Sequence, residues 1–340
     1  MDNLTNISIT SSELKDGYGY DLPVYGLDNG LFYYLHVPAL LCILCSFTCA
    51  CTVIILSFRH KDYRKFFFWT KSERFAVYLA ICDGGFNTFH SMDHMQYVIT
   101  KDHVRPIELC QFYGFMLAEF VAAQILMVNV IAINAFILMV FKKKINFGKY
   151  DWRLLVWTFG LPFVGSTAVA VTGQLGPNRI SCYFDGVKAE IASIAFTTVP
   201  LLLVLVVNIV LYGITLHRIK IETISLQLGL QRRHACDKSK RAATHMSMFV
   251  CAFFIQWGPL ALTLAWTLIS NERPFVFYHI VTVFSNIGGC FNLCIYLIIR
   301  HTNNQNRHKS NEHSQMDSNE INAITHAAAL HPNPRKTSIC

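Results

Sequence analysis

Seven apolar stretches, each long enough to cross a bilayer, alternate with short polar segments along this chain of 340 residues. They occupy residues 31–58, 75–99, 110–141, 153–173, 189–216, 245–270 and 275–299. Lipid offers no water to satisfy backbone N–H and C=O groups, so a crossing of roughly 30 Å takes about 20 mostly apolar residues wound into a helix. Each stretch meets that length. The expected fold is therefore an all-α membrane protein, a seven-transmembrane helix bundle over 31–300, with an N-terminal tail at 1–30 and a C-terminal tail at 301–340. Charged residues make up 15% of the chain and apolar ones 53%, whereas a soluble domain is usually about a quarter charged. The apolar excess belongs to lipid contact.

Lys and Arg sort by loop. Six fall in the N-terminal tail and after spans 2, 4 and 6 (Lys15, Lys101, Arg105, Arg179, Lys188, Arg273), and 23 fall after spans 1, 3 and 5 and in the C-terminal tail. Loops on the cytoplasmic side carry the cationic excess, which places the N-terminus outside and the C-terminus in the cytoplasm. The same sorting accounts for the net charge of +8 without nucleic acid. Two sequons, Asn3-Leu4-Thr5 and Asn6-Ile7-Ser8, make Asn3 and Asn6 glycosylation candidates on that outer side. No short apolar segment with a charged n-region precedes residue 31, so span 1 is expected to act as the signal anchor. Beyond Arg300 the chain is rich in Asn, His, Ser and Gln, a composition expected to stay disordered. Ser310, Ser314, Ser318, Thr337 and Ser338 are phosphorylation candidates there.

Most of the 12 cysteines lie inside spans, where a thiol behaves as a small hydrophobe. Cys110 opens span 3 and Cys182 lies in the outer loop between spans 4 and 5, both facing an oxidising compartment. A disulfide between them would fix that loop over the mouth of the bundle; the alternative is two unpaired thiols.

From Cys110 the chain runs 25 residues, roughly 37 Å of helix, to Ile131-Ala132-Ile133-Asn134-Ala135-Phe136. That segment resembles the inner end of helix 3 in rhodopsin-like G-protein-coupled receptors, which often reads Ile-Ala-Ile-Asn-Arg-Tyr. Leu79-Ala80-Ile81-Cys82-Asp83 in span 2 is similar to the family's Leu-Ala-x-x-Asp, and Phe253 to Pro259 in span 6 to its Phe-x-x-x-Trp-x-Pro, with Trp257 in place. Asn292-Leu293-Cys294-Ile295-Tyr296 in span 7 is similar to its Asn-Pro-x-x-Tyr, and Trp157 and Pro200 match spans 4 and 5. Tyr150-Asp151-Trp152 before Gly160-Leu161-Pro162 also resembles the cyclic-AMP-receptor-like class.

The resemblance covers about residues 31–300. It implies a plasma-membrane receptor that carries an extracellular signal to a heterotrimeric G protein or arrestin. It assigns switch roles to Asp83, Asn134, Ala135, Phe253, Trp257, Pro259, Asn292 and Tyr296. It also implies a sodium ion near Asp83, although Gln124 and Gly288 stand where smaller or more polar partners are usual. Three departures bear on coupling: Ala135 replaces the helix 3 Arg, Leu293 the helix 7 Pro and Cys51 the helix 1 Asn.

Elementary chemistry supports these positions separately. Pro259 removes a backbone hydrogen bond and bends span 6 beside Trp257. Asp83 is an ionisable group near mid-bilayer, costly unless it faces inward to partners. His90, Asp93 and His94 share one face of span 2; they line the ligand cavity or meet the outer loops, with a metal the lesser reading. Leu117, Trp266, Tyr278 and His279 complete the expected pocket, while Glu119, about 200° round the helix from Leu117, should touch a neighbouring helix. Leu117 stands where amine receptors carry Asp, and Asn286 where opsins carry the retinal-linking Lys, so neither ligand class is expected. Enzymatic readings lack their parts: there is no phosphate-cradling Gly loop and no HExxH. A secondary transporter is disfavoured because no internal repeat or matched pair of broken helices is present. A seven-helix protein that captures ligand without signalling is the remaining alternative, favoured by the loss of the helix 3 Arg.

Overall fold

A computed structural model describes residues 17–227, 233–267, 269–270 and 275–305. Asn3, Asn6 and the phosphorylation candidates lie outside the described residues. The described residues fall into two units, one up to Tyr296 and one from Leu297. Within the second, residues 297–305 are helical.

The first unit holds the bundle. Its helices are α1 (Phe32–His60), α2 (Lys71–Thr100) and α3 (Ile107–Val140). Next comes α4, which begins as Trp152–Leu155, widens into a π-turn at Val156–Gly160 and continues as Leu161–Val171. A hairpin of β1 (Leu175–Pro177) and β2 (Cys182–Phe184) follows, pairing Leu175 with Phe184 and Pro177 with Cys182. Then come α5 (Glu190–Ser193, a π-turn at Ile194–Thr198, then Val199–Gln227), α6 (Arg233–Thr267) and α7 (Phe275–Ser285, resuming at 288). The N-terminal segment, the α2–α3 loop and the hairpin share one end, called outer here after the charge sorting.

Six of these helices are long and apolar enough to cross a membrane by that measure alone. α2 is the seventh, and it differs because its inward face carries buried Asp83, Asn87, Asp93 and His94. α3 is the central element: 61% of its most apolar window is buried, against 28% for α1 and α4, whose apolar side chains face outward to lipid.

Both π-turns have the same cause. Pro162 and Pro200 lack the N–H that would bond to the carbonyl four residues earlier, Thr158 and Phe196, each inside a π-turn. The chain relaxes by one residue, and the amides of Leu161 and Val199 bond five residues back, to Val156 and Ile194.

α5 and α6 run beyond the apolar spans, to Gln227 and from Arg233, because polar helix continues outside hydrocarbon, where hydropathy does not register it. Two expectations need correcting. α6 ends at Thr267, short of residue 270. α7 is not continuous: it breaks at Asn286–Ile287, where the Asn286 side chain donates to Thr282 O at 2.7 Å. Downstream, the Gly289 amide donates to Ser46 Oγ of α1 at 2.9 Å, and a Cβ on Gly289 would lie 2.3 Å from Ser46 O. Only glycine permits that approach.

Candidate functional site

The polar side chains of α2, α3, α6 and α7 meet at mid-bundle. Asp83 is buried, and each carboxylate oxygen accepts from a carboxamide: Oδ1 from Gln124 Nε2 and Oδ2 from Asn292 Nδ2. Gln124 Oε1 accepts the indole N–H of Trp257 at 3.1 Å and, more weakly, Gln256 Nε2 at 3.4 Å. Gln256 also donates to Ser285 O at 3.1 Å, in the last turn before the α7 break. Trp257 sits edge-on to Phe86 of α2, with Phe253 buried one turn earlier. One hydrogen-bonded chain thus runs Asn292–Asp83–Gln124–Trp257. Asn87 Nδ2 extends the polar core to α1 by donating to Ser46 Oγ at 3.0 Å.

At the inner ends a cation takes part, from an unexpected helix. Lys71, on the first turn of α2, donates to Asn134 Oδ1 at 3.0 Å and Ile145 O at 2.5 Å, with its ammonium 4.8 Å from the Phe147 ring centroid. Asn134 Nδ2 in turn contacts Met246 Sδ of α6 at 2.8 Å. Ala135 is buried beside it. One turn along α2, Arg74 pairs with buried Asp151 at 3.3 Å, and Tyr78 donates to the same carboxylate at 3.0 Å. α2 therefore anchors both the α3–α6 contact and the loop after α3.

A strap, residues 18–25, lies across the loops of the outer end. Gly19 N–H donates to the Asp185 carboxylate, Tyr20 to Val104 O at 2.8 Å, and His103 Nε2 bonds to Leu22 O at 2.7 Å. Tyr25 packs on Tyr278 of α7 with ring centroids 4.8 Å apart. Burial pushes the phenols of Tyr20 and Tyr183 up to about 12, so both stay neutral hydrogen-bonding groups. Beneath the strap, Cys110 and Cys182 are bonded, holding β2 against α3.

The expected pocket residues separate. Asp93 meets the outer loop, one of its two expected places: both its oxygens accept the buried Cys182 N–H, at 3.2 and 3.1 Å, because a buried backbone donor demands an acceptor. His90 and His94 form a row of imidazoles with His36 of α1. The His36–His94 nitrogens lie 2.6 Å apart, and His94–His90 3.2 Å. Since His94 uses a different nitrogen for each neighbour, the row is a hydrogen-bond chain rather than a ligand set converging on one point. Leu117 is buried, Tyr278 carries Tyr25, and Trp266 is exposed, edge-on to Phe277. His279 lies on α7, one residue beyond Tyr278. Glu119 is buried on the α2 side of α3, near Cys82. Tyr296 is buried, and Pro259 lies inside α6.

Gln256, Lys71 and His36 escaped the sequence reading. A signal existed for Gln256 and His36, as polar groups within apolar spans. Lys71 had none, standing among five other basic residues of its loop.

A family model for the seven-transmembrane receptors of the rhodopsin family matches residues 49–296. The chain belongs to the rhodopsin family of seven-transmembrane receptors. It is a receptor and not an enzyme, held in the plasma membrane by multiple passes. The fold is similar to the crystal structure of squid rhodopsin, with TM-score 0.61 and 15% identity over 78% of this chain and 77% of that one. A search of curated proteins found no match.

Proposed function

We propose that this receptor carries a signal from an extracellular small molecule or peptide, through movement of α6 about Pro259, to a G protein or arrestin on the inner face. The observation that carries the reading is the Asn292–Asp83–Gln124–Trp257 chain, which ties α6 to three other helices two residues before Pro259. If α6 has a second position about Pro259 in which these bonds are broken, a ligand shifts the two populations by its differential affinity. Swinging the balance from 1:99 to 99:1 takes about 5.5 kcal/mol of that difference.

Ala135 favours a second reading, a receptor-shaped protein that binds without signalling. A methyl group cannot offer the cation that the family's Arg presents to the transducer. Recruitment of a panel of G proteins and arrestin, by wild type and Ala135→Arg across a ligand library, separates the two. Signalling predicts recruitment by at least one form. Silence in both, alongside ligand binding to the purified protein, supports the second reading.

A further inference from the structure

The family likeness implies a sodium ion beside Asp83, and the donor set there does not fit one. The indole N–H of Trp257 can only donate, so the Gln124 oxygen must face it. The Gln124 NH₂ must then face Asp83, whose Oδ1 it occupies. The second carboxylate oxygen is taken by Asn292. A hard cation needs oxygen lone pairs, yet here both carboxylate oxygens already face carboxamide N–H groups and the Gln124 oxygen is engaged by Trp257. Space is short as well. The cavity next to this cluster, lined by Gln124, Asn292, Gln256, Leu79 and Phe253 but not by Asp83, measures ≈ 10 Å³, room for about one water and not for an ion with its hydration waters. On the α7 side, a Cβ on Gly288 would lie 2.4 Å from the Gln256 amide, so that carboxamide fills the place a side chain at 288 would need.

We propose that the Gln124 carboxamide takes the position an alkali cation would hold, so that the central switch ignores sodium and Asp83 is coupled directly to Trp257. The amide performs both tasks of a bridging ion without leaving. Its NH₂ neutralises part of the carboxylate's demand, and its oxygen extends the tie to α6. Gln124 is a positioning residue: it acts through Asp83 and Trp257.

The test is the thermal midpoint of purified full-length receptor in lipid nanodiscs, titrated from 0 to about 300 mM in sodium chloride and in choline chloride, so that ionic strength is matched and only the cation differs. Wild type is expected to give coincident curves. A sodium-specific rise of about 2–4 °C that Asp83→Asn abolishes overturns the proposal. Gln124→Ser withdraws the NH₂, opens room and supplies an oxygen; it is expected to acquire such a rise, lost again on adding Asp83→Asn. A folded Gln124→Ser protein that stays blind to sodium also overturns it. The wild-type arm needs no variant, so the proposal stands or falls even if Gln124→Ser does not fold, and neither arm depends on a transducer.

Discussion

Lys71 sets an ammonium at the inner end of α3, reaching Asn134 and Ile145 from the neighbouring helix. Lys71→Met keeps the stem but removes the charge, and should loosen the Asn134–Met246 contact between α3 and α6. If about 1 kcal/mol of that bonding is specific to the closed arrangement, basal transducer recruitment should rise roughly five-fold. Recruitment normalised to surface expression checks it; an unchanged baseline means the lysine stabilises both states equally. Asp93 gives a second outcome. Asp93→Ala orphans the buried Cys182 N–H and should cost about 1–3 kcal/mol. Asp93→Asn retains an acceptor oxygen and should melt close to wild type, a contrast that differential scanning of the purified pair would show. The sequence marked Asp93 through the face of span 2 it shares with His90 and His94, but its partner is a backbone amide 89 residues away. No spacing rule reports that. Gln124 was visible as a departure from the family, while its orientation depended on Trp257 being a donor only, which the fold had to bring alongside.

Among the elements, the π-turns and the strap carry expectations of their own. Pro200→Ala restores the missing N–H and allows α5 to continue as plain α-helix, turning residues 190–198 by about 100° relative to the rest. Thr197 would then leave Tyr183, to which it is bonded at 3.1 Å, and hydrogen exchange in 194–198 should change while that in 205–215 does not. Gly19 sits where a Cβ would lie 2.1 Å from Pro177 O. Gly19→Val should unseat the strap and raise protease cleavage within 17–31 several-fold. Helix number and order were legible because length and apolarity are intrinsic to each stretch. The α7 break was not, because Gly288 and Gly289 are also tolerated within helices, and the break depends on how closely α1 packs on Gly289.

For the whole molecule, the Cys110–Cys182 bond closes a loop of 72 residues that includes all of α4 and much of α3. Its loss should cost about 2–5 kcal/mol, so Cys182→Ser is expected to reach the cell surface poorly and to melt at lower temperature. Surface labelling alongside a melt of the solubilised protein measures both. The disulfide was readable from which cysteines lie at the outer surface. The pocket was not, since Trp266, exposed, and Asp93, engaged by the hairpin, show that a helical face says little about which neighbour arrives.

The strap across the outer end bears on how fast a signal is received. It is fastened at Asp185, Val104 and His103 and rests on Tyr278, so if a ligand enters beneath it, the strap must part first. Association would then be limited by a first-order opening rather than by encounter, and the observed rate constant would level off as concentration rises. Gly19→Val would lift that ceiling and leave the line straight over the same range of concentrations.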